Sequence, residues 1–191
     1  MALINVAARE IHCKIVYYGP GLCGKTTNLK YIHSAVPGQA KGDLISIATE
    51  TERTLFFDFL PLDLGQVHGF QTRIHLFTVP GQVLYERTRV AVLNGADGVV
   101  FVADSQRHKL QEDVQSLQEL ARNVTLMGKK FLEFPLVMQY NKRDLENALP
   151  VEVMDRYLNS IRVPRYEASA SSGVGVFDTL KAISKLVISK L

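Results

Sequence analysis

The run Gly19-Pro20-Gly21-Leu22-Cys23-Gly24-Lys25-Thr26 constrains this chain more than any other stretch of it. Two glycines five positions apart, then a lysine and a hydroxyl residue, fit the pattern of a phosphate-binding loop. Glycine at 19 and 24 permits backbone angles closed to other residues, so consecutive N–H groups turn inward on an anion. Lys25 adds a point charge for the outer phosphates, and the Thr26 hydroxyl is a ligand for Mg2+. The loop then opens a helix, whose N-terminus is itself an anion site. The phosphate-contact candidates are Gly19, Gly21, Leu22, Cys23, Gly24, Lys25, Thr26 and Thr27. An apolar run from Ile11 to Tyr18 precedes the loop and reads as a strand, the context such a loop needs.

The rest of the composition narrows the class. A chain of 191 residues suggests one domain, and 47% hydrophobic with 21% charged residues is enough for a sizeable core. The balance of 22 basic against 19 acidic residues gives a net charge of +3, with no basic run interleaved with aromatics, which argues against nucleic acid. Cys13 and Cys23 lie in the strand and the loop, cannot form a metal site alone, and fit a reducing compartment. No uninterrupted apolar run reaches membrane-spanning length, and no secretory leader is expected. Ser189-Lys190-Leu191 matches a peroxisomal address, but it also continues an amphipathic helix carrying Phe177, Leu180, Ile183 and Val187, the reading preferred here.

Along the chain, Leu29, Ile32 and Ala35 give a helix from Lys25 to Val36 that ends at Pro37-Gly38. Thr54 to Leu60 is a β-rich run. A turn expected at Leu64 to Gly69 joins it to the alternating strand Phe70 to Val79, making a hairpin. Helical spacing returns from Val83 to Leu93. Val99 to Ala103 is an unbroken apolar run suited to a strand covered on both faces. Leu110, Val114, Leu117, Ala121 and Val124 mark a long helix, which Asp104-Ser105 is expected to cap. Pro135 to Tyr140 is a strand, Pro150 opens a helix with Val153, Tyr157 and Ile161, and a strand at Tyr166 to Ala170 precedes the last helix. Alternating strands and helices predict an α/β, doubly wound, mostly parallel six-stranded sheet with one antiparallel edge hairpin.

Ligands of such sheets sit beyond the carboxyl ends of the strands. Asn141-Lys142-Arg143-Asp144, which follows one of those ends, resembles the Asn-Lys-x-Asp guanine motif of Ras-like GTPases. There an acceptor-only carboxylate, here Asp144, takes hydrogen bonds from the ring N–H and exocyclic amine of guanine, donors that adenine lacks. Lys142 would lie over the base, and Asn141 would tie the motif to the phosphate loop. Ser169 and Ala170 match part of the family's Glu-x-Ser-Ala-Lys segment, with Ser171 in place of its lysine. Thr78-Val79-Pro80-Gly81-Gln82 stands where the family has Asp-x-x-Gly-Gln. Gly81 would offer its N–H to a γ-phosphate, and Gln82 would orient the attacking water. Thr78 replaces the aspartate that holds Mg2+ through a water. Thr54, with Thr51 and Thr49 as rivals, is expected as the second Mg2+ hydroxyl, and Arg53 as an arginine finger in cis.

Taken with the segment Ala48 to Thr54, these motifs are similar to those of the MglA family, the bacterial Ras-like GTPases of cell polarity and gliding motility. The similarity runs from about Ile4 to the C-terminus. It implies a single small Ras-like GTPase domain over residues 1–191 with P-loop small-GTPase architecture, binding GTP and GDP with Mg2+ held by Thr26 and Thr54. It also implies catalysis by Gln82 and Arg53, slow intrinsic hydrolysis promoted by a roadblock-fold MglB-type GTPase-activating dimer, and a central hairpin that shifts register between states. The expected partners are polarity and motility effectors, and the expected form is a monomer when alone, cytoplasmic and recruited to a cell pole through partners. Two alternatives remain: a GTP-dependent scaffold with negligible hydrolysis, and a different P-loop enzyme, an ATPase or nucleotide kinase. Asp58, between Phe57 and Phe59, is either a register device for the hairpin or an edge residue facing water. The five histidines show no ligand spacing, and Cys23 is a candidate redox-sensitive thiol.

Overall fold

The strand ahead of the glycine loop forms as Glu10–Tyr18 and lies at the middle of the sheet. The structure is a computed structural model and describes residues 2–47, 57–81 and 85–191. Its strands are β1 Leu3–Asn5, β2 Glu10–Tyr18, β3 Ile45–Ile47, β4 Phe57–Val67, β5 Phe70–Thr78, β6 Gly98–Asp104, β7 Leu136–Asn141 and β8 Arg165–Glu167. The helices described are α1 Lys25–Ala35, α2 Glu86–Leu93, α3 Leu110–Leu126, α4 Val151–Leu158 and α5 Val176–Ile188. The sheet order is β3-β4-β5-β2-β6-β7-β8, with β1 added antiparallel to the start of β2. The contacts of β5, β2, β6, β7 and β8 are parallel, and those of β3, β4 and β5 are antiparallel.

This is a mixed α/β fold with a mostly parallel sheet, but among the described residues the sheet has eight strands rather than six. The two additions, β1 and β3, are three residues each. A period of two cannot be read from three residues, which is why neither left a trace in the sequence.

Two apolar layers cover the sheet. Leu29 and Ile32 of α1 and Leu180, Ile183 and Val187 of α5 pack on Cys13, Ile15, Ile74, Leu76, Val100 and Val137. Val92, Leu93, Leu120, Val124, Met154 and Leu158 pack on Val16, Val99, Phe101, Met138 and Tyr140 from the other side. Every residue of β6 is buried, as its unbroken apolar run requires. Each such Leu or Ile contributes about 1.5–3 kcal/mol relative to exposure, so the two layers hold the strand ends in fixed positions.

Several local expectations are corrected. The hairpin turn is not Leu64 to Gly69: β4 runs on to Val67, and only His68 and Gly69 turn, with φ of 51° and 80°. Two successive left-handed residues match the twist of the flanking strands. Gly65, with φ of 74°, instead absorbs the register irregularity between Asp63 and Gln66. In α4 the buried pair is Met154 and Leu158, while Tyr157 is 56% exposed and Ile161 lies past the helix end. The strand expected at Tyr166 to Ala170 is Arg165–Glu167, because Ala170 gives its N–H to the Asn141 side chain. Asp104 does not cap α3. Its carboxylate accepts from the Gln106 N–H at 3.1 Å, ahead of a short 3-10 turn, and α3 begins only at Leu110.

Candidate functional site

The glycine loop leaves the carboxyl end of β2 and enters α1 at Gly24, whose φ is 107°. A Cβ there would stand 2.1 Å from Asn141 Nδ2, so only glycine lets the loop and the end of β7 meet this closely. The contact has a purpose visible in its hydrogen bonds. Asn141 Nδ2 donates to the Cys23 carbonyl at 2.8 Å, and its Oδ1 accepts the Ala170 N–H at 2.9 Å. One buried amide therefore joins the glycine loop, the Asn141–Asp144 turn and the Ser169–Ala170 turn. The Arg143 N–H closes the same junction on the Ala168 carbonyl at 3.0 Å.

Around this junction two cavities share Leu22, Gly24 and Thr27 as a common wall. One, of about 450 Å³, is lined by Lys25, Thr26, Ser46, Asp58, Thr78, Pro80 and Gly81 among others. The second, of about 330 Å³, is lined by Asn141, Lys142, Asp144, Ala170 and Ser171. Asp144 is exposed along its rim, and Ser169 is buried beside it with Oγ 3.2 Å from Ser171 Oγ. Lys142 is held in a left-handed conformation, φ 65°, and its ammonium donates to Asp104 at 2.5 Å. Lys142 is also part of the wall of the second cavity, and its aliphatic stem is an apolar surface there.

In the first cavity Lys25 is buried, and its ammonium donates to the Gly19 and Pro20 carbonyls at 2.9 and 2.5 Å. Gly81 sits directly on the loop: a Cβ there would meet Gly21 Cα at 2.4 Å and the Pro20 carbonyl at 2.7 Å. Asp58 is neither at a wet edge nor unpaired. It is 7% exposed, and its carboxylate accepts from the Thr26 hydroxyl at 2.6 Å, the Ser46 hydroxyl at 2.7 Å and the Thr78 hydroxyl at 2.9 Å. The reading of Asp58 as a residue facing water is therefore overturned. A buried carboxylate is stable here because three hydroxyls satisfy it.

Among the described residues no cluster of three or more His, Cys, Asp or Glu could hold a metal. A phosphate-bound Mg2+ needs no such cluster, since it takes one or two protein oxygens, water and phosphate. Thr26, Asp58, Ser46 and Thr78 form a set of hard oxygen donors of that kind, and they fit the ion. Gln82, Arg53 and Thr54, with Thr49 and Thr51, lie outside the described residues.

Burial raises the Cys23 thiol above its ordinary range, with nearby Lys25 opposing that rise. Burial thus disfavours the thiolate, which argues against the redox-sensitive reading. Cys13 is pushed up to about 11 by burial, then by Asp97.

Sequence reasoning missed four polar residues in or behind the site. Asp113 of α3 accepts the Asp104 N–H at 3.0 Å, and burial pushes its carboxyl up to about 8. Ser46 carries no signal in the sequence. Arg89 of α2 and Glu119 of α3 pair at 2.6 Å, 30 positions apart in a chain read without contacts.

No protein-family model matches this chain. The chain is 58% identical over 191 residues, all of this chain and 98% of the relative, to the mutual gliding-motility protein MglA of Myxococcus xanthus (strain DK1622).

Proposed function

Since the chain belongs to the MglA family of small GTPases, we propose that it is a molecular switch that binds GDP and GTP with Mg2+ and hydrolyses GTP to GDP and phosphate. The observation that carries this is the Asn141 side chain, which bonds the Cys23 carbonyl and the Ala170 N–H at once. A phosphate grip and a base-reading turn are useful to each other only when held at one fixed spacing, and this amide holds it.

In the proposed site the N–H groups of Gly21 to Lys25 and the Thr26 N–H face the phosphates, with Thr27 beside them. Gly19 shapes the loop. Lys25 would exchange its loop carbonyls for phosphate oxygens, a stronger, charge-assisted pairing. Asp144 reads the guanine N–H and amine, Lys142 covers the base, and Ser169 and Ala170 wall its far side. Thr26 and Thr54 supply hydroxyls to Mg2+, and Asp58 supplies the carboxylate that position 78 lacks. When bound, the ion neutralises charge on the outer phosphates. Gly81 donates its N–H toward the γ-phosphate, Gln82 orients the water, and Arg53 stabilises charge on the leaving oxygens.

The motif Gln82 and the family together favour a hydrolase over a scaffold that holds GTP unchanged. Partner biology is part of the same proposal: a roadblock-fold MglB-type dimer accelerating hydrolysis, motility effectors, and recruitment to a cell pole. Among the described residues no helix is long and apolar enough to cross a membrane. Single-turnover GTP hydrolysis with and without an MglB-type dimer tests the switch reading. A Gln82→Ala variant should lose the stimulated rate, and equal rates for wild type and variant in both conditions would overturn it.

A further inference from the structure

Glu119, on α3, accepts the Tyr18 hydroxyl at 2.6 Å and both Nε and Nη2 of Arg89, at 2.6 and 3.0 Å. Tyr18 is the last residue of β2, immediately before Gly19. Arg89 belongs to α2, the first α-helix after Gly81 among the described residues, and its Nη1 reaches back toward the Pro80 carbonyl at 3.4 Å. Arg89 is 4% exposed, and Asn123 of α3 also donates to the Tyr18 hydroxyl, at 3.3 Å. A bidentate guanidinium–carboxylate pair fixes orientation as well as distance.

The geometry points to Arg89 and Glu119 as positioning residues for GTP hydrolysis, setting where the Pro80–Gly81 segment stands relative to the glycine loop. This rests on the GTPase reading given above. The two backbones in question already touch, Gly81 on Gly21, so a small change in the tilt of α2 moves one against the other. The base-reading turn at Asn141 is tied to the loop by separate bonds that do not pass through α2. Losing the clamp therefore displaces Gly81 while leaving the grip on guanine and the inner phosphates intact. Misplacement of a reacting group by about 1 Å costs on the order of a hundredfold in rate.

The test compares Glu119→Gln and Arg89→Lys with wild type in the full-length protein. Glu119→Gln keeps the shape and an acceptor for Tyr18 but removes the charge that holds both guanidinium nitrogens. Two quantities are read for each: the dissociation constant for GDP and the single-turnover rate of GTP hydrolysis. The expected result is GDP affinity within about twofold of wild type and hydrolysis slower by at least about tenfold. Wild-type hydrolysis in both variants overturns the inference. Affinity and rate falling together overturns it too, since the pair would then be holding the fold alone. A wild-type protein that binds GDP but hydrolyses no GTP removes the GTPase reading, and this inference with it.

Discussion

Asp58 and Thr78 exchange two hydrogen bonds across the hairpin: the Asp58 N–H donates to Thr78 Oγ1 at 2.8 Å, and the Thr78 hydroxyl donates back to the Asp58 carboxylate at 2.9 Å. A hydroxyl can do both; a carboxylate can only accept. Thr78 is thus matched to an aspartate on the neighbouring strand. An aspartate at 78 would set two carboxylates side by side in a buried place. Thr78→Asp should cost roughly 3–5 kcal/mol, and Thr78→Val roughly 1–3 kcal/mol. Urea unfolding of the two variants checks the order; Thr78→Asp as stable as wild type would contradict it.

Asp58→Asn tests the same cluster from the other side. Its carboxylate takes three hydroxyl donors, one from Thr26. The amide keeps one acceptor oxygen, so stability should fall by about 2 kcal/mol. Titrating Mg2+ against GDP release should show a weaker metal dependence than wild type. An unchanged Mg2+ midpoint would remove Asp58 from the proposed metal set.

Asp113 gives a pH dependence whose sign is fixed. Burial first, with the Asp104 charge adding to it, pushes its carboxyl up to about 8 from an ordinary value of 3.8, and the backbone N–H of Asp104 opposes that rise. Between those values the folded state holds a proton that the unfolded chain has lost. Stability from this group is full below about 4 and declines as pH rises to about 8. Asp113→Asn should therefore melt at a higher temperature relative to wild type at pH 8.5 than at pH 5. A difference between the two proteins that does not change with pH would contradict the assignment.

Much of this was legible in the residues. The glycine loop, the strand before it, the apolar run Val99 to Ala103 in β6 and the turn at Asn141 each carry a local pattern, because a phosphate cradle and a doubly covered strand restrict residue type directly. The relations across the sheet were not legible. Asp58 is visible as a lone charge in an apolar run, but its three hydroxyl partners lie on the loop helix, on β3 and on β5. Nothing local distinguishes Ser46 from any loop serine. Gly65 and Gly69 look alike in sequence, and only pairing with β5 makes one a bulge and the other a turn.

Arg53→Ala and Gln82→Ala address the proposed chemistry itself. An arginine finger acting in cis is worth about 10³–10⁵ in rate. Each variant should keep GDP affinity and lose most of the partner-stimulated rate in a single-turnover assay. Retention of that rate in Arg53→Ala would assign charge stabilisation to another group.

The central claim is that one acidic side chain reads the base while the glycine loop grips the phosphates. Competition binding of GDP against ADP, in wild type, Asp144→Asn and Lys25→Ala, measures it most directly. Wild type should prefer GDP strongly, Asp144→Asn should lose that preference by roughly a hundredfold, and Lys25→Ala should bind neither nucleotide. Equal affinity of the wild-type protein for GDP and ADP, or GDP affinity unchanged in both variants, would contradict the account.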